Sequence, residues 1–358
     1  MSNNLSTTPG LPIKVRLFFR RARANGNTSI EDSFAEMMAA FPTDKGIVLD
    51  SFKSSFYSNG FLPRLRAIFE VRRHQAEINH ITGDTNFLAL GLPRRSTILT
   101  IHDCGLLEGK NWLSRWILQQ FWLKLPVKNS QIVTAVSEAT KQDIIRLTGC
   151  PAKKIIVIPT VIRSSFRYSP KPFRKDYPTI LHIGNAPNKN LERHAKALEG
   201  LPCHFHVIGK INDTQIELLK QLKLNFSISY NLTNEALQDA YHQADILLFC
   251  SIIEGFGMPI IEAQTVGRVV ITSAVSAMPD VAGEGACFAD PLSISSIKAA
   301  IQRVLQDDNY CNVLIYKGLK NAKRFNPETV AQQYAQLYEK IEERQRHHHQ
   351  HNYAHAFR

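Results

Sequence analysis

The stretch "SIIEGFGMPIIEA", Ser251 to Ala263, places two glutamates eight positions apart around two glycines, a proline and an apolar run. It follows "ADILLFC" (244–250), an apolar run typical of a buried strand. Pro259 suits the first turn of a helix, where its missing N–H is not needed. The stretch therefore predicts a strand, a glycine-rich loop and a helix in succession, which is the unit of a parallel α/β sheet.

The same alternation of strand and helix recurs along the chain on both sides of this stretch. Strand-like runs occupy 13–19, 46–50, 78–83, 96–103 and 131–137, and then 179–184, 205–209, 226–230, 244–250, 268–272 and 286–290. Helix-like segments occupy 30–41, 138–147 (with Ser137 as its cap), 190–199, 213–222, 234–243, 258–266, 294–306 and 327–345. The predicted fold class is α/β, with two doubly wound Rossmann-like domains facing each other across a cleft.

The chain is long enough for two domains, because one hydrophobic core stops growing at roughly 250–300 residues. The polar, proline-bearing stretch "RYSPKPFRKDYP" (167–178) is the best candidate for a linker. We expect a basic, acceptor-side N-terminal domain (1–168), a linker (169–178), a nucleotide-sugar-binding C-terminal domain (179–326), a C-terminal helix able to pack back on the N-terminal domain (327–345) and a disordered His-rich tail (346–358).

Composition places the chain among ordinary soluble globular proteins, with 44% hydrophobic and 21% charged residues. We expect no signal peptide and no membrane span, since no window approaches 18 uninterrupted apolar residues. Six cysteines at wide spacing, without C-x-x-C, predict free thiols in a reducing cytosol. The expected location is cytoplasmic.

Positive charge is concentrated in the first half of the chain. Residues 1–170 hold 23 Lys and Arg against 12 Asp and Glu, a net +11, whereas the remainder holds 20 against 19, a net +1. Such asymmetry favours an anionic partner. No nucleic-acid-binding motif is present, so we expect no nucleic acid partner.

Two segments of this half combine cations with large apolar residues, 51–74 and 111–128. Basic amphipathic helices rich in aromatic residues bind anionic lipid surfaces. The alternative is a helix that covers the core and has a solvated basic edge, which we favour for 111–128. For 51–74 we expect contact with an anionic membrane, peripherally on the inner face of the plasma membrane.

The glycine-rich loop also predicts a site for an anion. Gly255 and Gly257 let the backbone approach a ligand without an intervening Cβ. The amides near Gly257, Met258 and Ile260, at the start of the predicted helix, have no partner within that helix and attract negative charge.

The two glutamates of the loop would then serve different parts of one ligand. Glu262 lies one turn into the helix, where its carboxylate can accept hydrogen bonds from adjacent ribose hydroxyls. Glu254 precedes the glycines and would face a sugar beyond the diphosphate. The alternative is that Glu262 only complements the helix dipole and Glu254 is a solvated loop acid.

Six motifs, in order along the chain, resemble those of retaining glycosyltransferases of the family 4 type, which adopt the GT-B fold. They are "TIHD" (100–103), "TAVSEATKQDI" (134–144), "KKIIVIPTVI" (153–162), "LHIGNAPNKNL" (181–191), "EGFGMPIIEA" (254–263) and "PDVAGEGACFADP" (279–291). The resemblance implies transfer of a sugar from a nucleotide-diphosphate-sugar to a hydroxyl of a sugar or lipid-linked sugar, as in bacterial surface polysaccharide synthesis.

The resemblance also implies roles for individual residues. Glu254 and Glu262 take the two glutamate positions, and Gly255, Phe256, Gly257 and Met258 lie where backbone amides meet the diphosphate. Lys189 matches a lysine that neutralises the leaving phosphate. The alternative for Lys189 is a solvated lysine at a helix start, where a cation opposes the dipole unless an anion joins it.

In the N-terminal half, His102 matches a histidine beside the transferred sugar. It could instead be a buried structural histidine, and Asp103 next to it could orient the loop. The loop after the first strand, with Asn25 and Gly26, occupies the place of the family's glycine-rich loop and is expected to contact donor or acceptor.

The sequence departs from the family after Gly184. Many members have an arginine there, and this chain has Asn185, so phosphate neutralisation would rest on Lys189 and the amides. We still expect Gly184, Asn185 and Asp103 among the substrate-binding residues. No D-x-D and no cluster of metal-ligand spacing occurs, so we expect neither metal nor cofactor. The alternatives to a transferase are a GT-B-fold nucleotide-sugar epimerase or hydrolase, and a catalytically silent transferase-like partner.

Overall fold

The computed structural model describes residues 12–21, 29–58, 60–105 and 111–356, with backbone alone from residue 347. Its first half contains a six-stranded parallel sheet in the order β2-β1-β3-β4-β5-β6. These strands are β1 (Ile13–Phe19), β2 (Ile47–Lys53), β3 (Ile78–Ile81), β4 (Thr97–Ile101), β5 (Ile132–Ala135) and β6 (Ile155–Val157). Because β3 and β4 are buried at every position, helices must cover both faces of the sheet.

The helices of this half divide into two layers. They are α1 (Ser29–Ala39), α2 (Phe61–Arg73), α3 (Trp112–Leu118), α4 (Leu125–Lys128) and α5 (Glu138–Thr148). A π-helical turn, Gln119–Lys124, joins α3 to α4, where Pro126 lacks the N–H that would continue an α-helical ladder. Residues of α2, α4 and α5 share one core with the sheet, whereas α1 packs in a second core on the other face. Ser137 caps α5 as predicted, since its side chain accepts from the Thr140 amide.

The second half repeats the architecture, with the strand order β12-β11-β10-β7-β8-β9, all parallel. The strands are β7 (Thr179–Ile183), β8 (His204–Ile208), β9 (Asn225–Ser229), β10 (Ile246–Phe249), β11 (Val269–Ser273) and β12 (Cys287–Ala289). The helices are α6 (Leu191–Leu198), α7 (Asp213–Gln221), α8 (Asn234–Gln243), α9 (Met258–Val266), α10 (Met278–Ala282), α11 (Ile294–Gln306), α12 (Asp308–Ala322) and α13 (Pro327–Ala356). Two doubly wound α/β sheets confirm the predicted fold class.

The sequence analysis did not predict three regular elements, which are β6, α10 and α12. The run 308–322 contains three asparagines and Gly318, which lower helix propensity and obscure the apolar period. Tertiary packing explains this glycine, because a Cβ at Gly318 would come within 3.0 Å of the Gln264 side chain on α9. Close packing between α9 and α12 therefore stabilises a helix that local propensity disfavours.

Helix α13 leaves the second half and packs on the first. Tyr334, Leu337 and Tyr338 lie in one core with β1 and α1. The Tyr338 hydroxyl is 2.7 Å from Nδ1 of His80 on β3. The helix continues to Ala356, so the predicted end at residue 345 is too early and the expectation of a disordered tail is wrong over that range. Residues 346–356 contain neither proline nor glycine, and each residue added to an existing helix gains a hydrogen bond.

All six cysteines are free thiols, as predicted. Over the described ranges, none of the helices combines the length and apolar character that a bilayer crossing requires.

Candidate active site

The strand order reverses between β7 and β10 in the second sheet, and loops leaving the carboxyl ends of such strands diverge and leave a crevice. Lys189 lies on the loop that follows β7, and Glu254 lies on the loop that follows β10. His102 follows β4 of the first sheet. The three predicted catalytic residues meet in one cavity of about 300 Å³ between the two halves.

Lys189 and Glu254 form an ion pair inside this cavity, with 2.6 Å between Nζ and Oε1. The Lys189 amine also lies 4.8 Å from the centroid of the buried Phe249 ring, a cation–π contact. Gly184 permits this placement, because its φ is +107° and a Cβ would come within 2.6 Å of the lysine stem. The anion that joins this lysine is therefore a carboxylate of the same chain.

Gly255 is required for a reason that differs from the prediction. A Cβ at this position would lie 2.2 Å from the His102 carbonyl oxygen, so the backbone of the first half approaches Gly255 directly. The Gly255 carbonyl accepts hydrogen bonds from Ser137 Oγ at 2.8 Å and Thr140 Oγ1 at 3.1 Å. The loop 251–257, which we call the glutamate loop, is thus one place where the two halves touch.

The predicted set of free amides at the start of α9 is partly wrong. The Ile260 amide donates to the Gly257 carbonyl at 3.0 Å, so it is already satisfied within the turn. Gly257 and Met258 line the cavity. The Phe256 side chain is buried, with its ring 5.6 Å from that of Phe325, so this residue can offer a ligand only its backbone.

His102 is half-buried and holds one tautomer. Its Nε2–H donates to the Thr82 carbonyl at 2.8 Å, which leaves Nδ1 as the nitrogen with the lone pair. Burial lowers the pKa of His102, so the ring is neutral at pH 7. Asp103 accepts from the Gly105 amide at 2.9 Å, the loop-orienting role that the sequence left open.

Glu262 is 4% exposed and lies beneath the glutamate loop. The Tyr241 hydroxyl donates to its Oε2 at 2.6 Å, and an Arg163 nitrogen lies 3.9 Å from Oε1. Burial raises the pKa of this carboxyl, and the contacts with Tyr241 and Arg163 oppose that shift. The contact with a ribose stays a prediction, with Oε1 as the oxygen that Tyr241 does not occupy.

Asn185 does not join the Lys189–Glu254 pair. Its side-chain amide donates to the Lys210 carbonyl at 2.6 Å, on the loop after β8. Asn188 does reach the pair, with its amide 2.9 Å from the Ile253 carbonyl and 3.4 Å from Glu254 Oε1. Asn25 and Gly26 lie outside the described residues.

Sequence reasoning missed Arg20 and Asp84, which also line the cavity. Arg20 is 5% exposed and forms ion pairs with Asp84 and, at 2.8 Å, with Glu31. These two residues follow β1 and β3, between which the order of the first sheet reverses. The available signal was a polar residue directly after the strand-like run 13–19. Such a residue indicates a binding site only when the strand order is known.

A second cavity, of about 740 Å³, adjoins the first and shares Asp103, Glu254 and Gly255 with it. Its walls add polar side chains from the first half, Arg115, Thr140, Asp143 and Arg146. Arg146 and Asp143 form an ion pair at 2.5 Å. A molecule in this cavity would reach Glu254 from the side of the first half.

Two family models match adjoining parts of the chain. The model described as Glycosyltransferase Family 4 matches residues 15–166, and the model described as Glycosyl transferases group 1 matches residues 167–321. O-antigen chain mannosyltransferase B from Escherichia coli is 28% identical over 277 residues, which cover 70% of this chain and 72% of that protein. Serotype-specific mannosyltransferase WbdA from Escherichia coli is 22% identical over 64% of this chain, and the match spans only 32% of WbdA.

Solved structures share the fold. Sucrose-phosphate synthase from Thermosynechococcus elongatus superposes with a TM-score of 0.72 at 18% identity, over 92% of this chain and 99% of that one. WaaG, a glycosyltransferase involved in lipopolysaccharide biosynthesis, superposes with a TM-score of 0.65 at 14% identity, over 91% and 99% of the two chains. At these identities the likeness concerns the two-domain GT-B architecture alone.

Proposed function

The chain belongs to the glycosyltransferases that these two family models describe, and on that premise we propose a specific reaction. The enzyme transfers a sugar, with retention of anomeric configuration, from a nucleotide-diphosphate-sugar to a hydroxyl of a sugar or lipid-linked sugar. Mannose is the first sugar to test, because the relatives described above are named mannosyltransferases. Surface polysaccharide synthesis is the corresponding process, since one of those relatives is named for the O-antigen chain.

The Lys189–Glu254 ion pair is the observation that carries this proposal. A diphosphate entering the cavity offers the lysine more negative charge than one carboxylate does, so the amine exchanges Glu254 for phosphate. Glu254 is then released to accept hydrogen bonds from hydroxyls of the donor sugar. Gly257 and Met258 line the same cavity, and we propose that their amides support the phosphate.

The same contacts supply electrostatic catalysis. The bond between the anomeric carbon and the phosphate oxygen breaks, and the acceptor oxygen bonds to the same face of the sugar. The leaving phosphate takes the acceptor's proton, while Lys189 stabilises the negative charge that develops on it. A lysine and main-chain amides thus take the place that a divalent cation has in other transferases, and we propose that no metal is needed.

We assign the 740 Å³ cavity to the acceptor. Sugar hydroxyls both donate and accept hydrogen bonds, and Asp103, Asp143 and Arg146 offer acceptors and donors around this space. His102 lines the 300 Å³ cavity next to Asp103, which lines both cavities. Its neutral ring would contact the transferred sugar without adding positive charge there.

We further propose that an anionic membrane surface presents the acceptor. The apolar side chains Phe61, Leu62, Leu65 and Phe69 on α2 are exposed, as are Trp112, Leu113, Trp116, Ile117, Phe121 and Leu125 on the segment 112–128. Phe61 is 78% exposed and Trp112 is 80% exposed. We call these ten residues the basic aromatic face, because Arg66, Arg72, Arg73, Arg115, Lys124 and Lys128 lie among them.

The two helices of this face are neighbours. The guanidinium of Arg64, on α2, lies 5.2 Å from the Trp122 ring on the π-helical turn. In the segment 112–128, Leu123, Pro126 and Val127 are buried, and Leu118 and Trp122 pack against the same core. The segment therefore covers the core, as the sequence favoured, and its outer apolar side chains are exposed. Arg115 of the same segment lines the acceptor cavity, which would bring that cavity to the membrane.

Charge favours a lipid surface over a second copy of this chain. The segments 61–73 and 112–128 contain a single carboxylate, Glu70, which accepts from Ser54 Oγ at 2.9 Å. Two copies joined through this face would bring their cations together. Anionic headgroups complement the cations, and the acyl boundary accommodates the aromatic rings.

A donor screen tests the proposed reaction. We expect one nucleotide-sugar, among GDP-mannose, UDP-glucose and UDP-galactose, to raise the melting temperature, because ligand at 100 times its Kd stabilises the folded state by about 2.7 kcal/mol. Lys189→Met should abolish this shift, and Lys196→Met, at an exposed position on α6, should keep it. The product formed with a mannoside or lipid-linked acceptor should retain the donor's anomeric configuration by NMR. Inverted product, or no stabilisation by any donor, would refute the proposal, and donor hydrolysis without transfer would indicate a hydrolase.

A further inference from the structure

Two histidines lie fully buried beneath the active-site loops, where neither contacts the cavity. His182 is the fourth residue of β7, and His194 lies on α6. Both are 0% exposed, and their Nδ1 atoms are 2.9 Å apart. Burial lowers the pKa of His182 to about 4 and that of His194 well below its ordinary value, so both rings are neutral. Buried polar rings are costly unless each nitrogen has a partner.

The hydrogen bonds through these rings have one possible direction. At one end, the Cys250 amide can only donate, and it donates to Nε2 of His194 at 3.2 Å. Nδ1 of His194 therefore carries the proton and donates to Nδ1 of His182. At the other end, the Gly184 carbonyl can only accept, and Nε2–H of His182 donates to it at 2.8 Å. Both ends require the same pair of tautomers.

This chain of hydrogen bonds joins the starts of the two loops that carry the catalytic pair. Gly184 begins the loop from β7 to Lys189, and Cys250 begins the loop from β10 to Glu254. Asn190 also joins the two loops, because its side-chain amide donates a hydrogen bond to the Cys250 carbonyl at 2.9 Å. The two histidines thus connect the two loops where they leave the strands. The Lys189–Glu254 ion pair connects the same loops at the cavity.

We propose that His182 and His194 are positioning residues for sugar transfer, which set the distance between Lys189 and Glu254 once a diphosphate has separated them. This inference rests on the proposed function. While the ion pair is intact, its own attraction keeps Lys189 and Glu254 together. When phosphate binds Lys189, the remaining hydrogen bonds between the two loops keep the amine on the leaving group and the carboxylate on the sugar. Asn188 makes one of these bonds to Ile253, and the histidine pair joins the loops where they leave the strands.

Replacement of the first ring tests the proposal. His182→Phe keeps an aromatic ring, slightly larger, but removes both hydrogen bonds, and we expect kcat to fall 10- to 100-fold, because a misplacement of about 1 Å can cost 10²-fold. The KM for acceptor should stay unchanged, since the acceptor cavity lies on the other side of Glu254. His182→Gln should recover part of kcat, because its amide can still donate to the Gly184 carbonyl.

The matched control joins the same two strands at their opposite ends. Asp245, directly before β10, accepts from the Thr179 amide at 2.8 Å, roughly 13 Å along the strand from Ile183. Asp245→Asn should lower the melting temperature as His182→Phe does but leave kcat within a few-fold of wild type. An equal loss of kcat in the two variants would mean that His182 contributes only stability, and it would overturn the proposal.

A measurement without substrate keeps this inference separate from the proposed function. In ¹⁵N spectra of the full-length protein with labelled histidines, His194 should show a protonated Nδ1 and His182 a protonated Nε2. With labelled lysines, and with inorganic pyrophosphate added to draw Lys189 away from Glu254, the Lys189 amine resonance should move in His182→Phe and stay in Asp245→Asn. The opposite tautomers, or an unmoved Lys189 resonance, would refute the positioning role even if sugar transfer is confirmed. The expected spectra without any transferase activity would refute the proposed function alone.

Discussion

Glu254 and Glu262 have the same side chain and different electrostatic environments. Glu254 lies at the cavity and is neutralised by Lys189 at 2.6 Å. Glu262 is buried one turn into α9, where Tyr241 donates to it. In the proposed reaction, phosphate attracts Lys189 and frees Glu254, whereas Glu262 keeps its hydrogen bond from Tyr241. The first is therefore suited to a step in the reaction, and the second is suited to binding.

Kinetics of the two glutamine variants should separate these roles. Glu254→Gln should lower kcat by about 10²-fold, or about 2.7 kcal/mol, and change donor affinity only a few-fold. Glu262→Gln should weaken donor binding by about 10-fold or more, because a hydrogen bond to a charged group contributes about 1.5–3 kcal/mol, and should spare kcat. Steady-state kinetics with donor titration by calorimetry measures both quantities. The reverse pattern would contradict the assigned roles.

Arg20 and Asp84 show the limit of prediction at this scale. His102, Lys189 and Glu254 could be found because each belongs to a motif with a recognisable spacing. Arg20 and Asp84 are 64 positions apart, and nothing in the chain between them indicates that they form an ion pair. The reversal of strand order between β1 and β3 brings them together.

At the scale of elements, α2 and the segment 112–128 present their aromatic residues outward. The sequence contains the amphipathic pattern but does not say which side faces the core, because tryptophan and phenylalanine are common on both. Residues of α2 and α4 pack in the same core, and the outer surface of this layer is left to the basic aromatic face.

Membrane binding should depend on the aromatic residues of this face. The double variant Trp112→Ser, Trp116→Ser should bind vesicles with anionic lipid at least 10-fold more weakly, because burial of one large apolar side chain contributes about 1.5–3 kcal/mol. Flotation with anionic and neutral vesicles measures the effect. Tyr316→Ser, at an exposed aromatic residue of α12 in the other half, is the control and should float as wild type does. Equal flotation of the double variant, or no preference for anionic vesicles, would exclude this surface.

At the scale of the whole molecule, several contacts join the halves, and two of them differ in character. Helix α13 packs on the first sheet through Tyr334 and Tyr338. Gly255 approaches the His102 backbone at the active site. The first contact is broad and apolar, whereas the second is a single point that a side chain would obstruct. This close approach brings His102 beside Glu254, and the proposed sugar transfer would depend on it.

Gly255→Ala should therefore separate the halves at the active site. Its Cβ would lie 2.2 Å from the His102 carbonyl oxygen, so we expect kcat to fall at least 10-fold, roughly the effect of a small misplacement, and the radius of gyration to rise in X-ray scattering. Gly149→Ala is the control, because its φ of +70° imposes local strain while its Cβ would meet nothing within 4 Å. A Gly255→Ala enzyme with wild-type kcat and scattering would show that the halves need no contact here.

The sequence by itself determined the two α/β domains and the succession of most strands and helices along the chain. It also contained the motifs that carry His102, Lys189 and Glu254. These features depend on neighbours within about 20 residues, through apolar period, turn residues and caps, so a linear pattern contains them.

Only the tertiary structure decided the contacts between distant segments. It pairs Lys189 with Glu254, joins their loops through His182 and His194, satisfies the Ile260 amide, and sets the Gly255 backbone against His102. The physical reason is that each of these contacts joins atoms whose distance depends on strand order and on the packing of one half against the other. Residue type and spacing do not specify either of these.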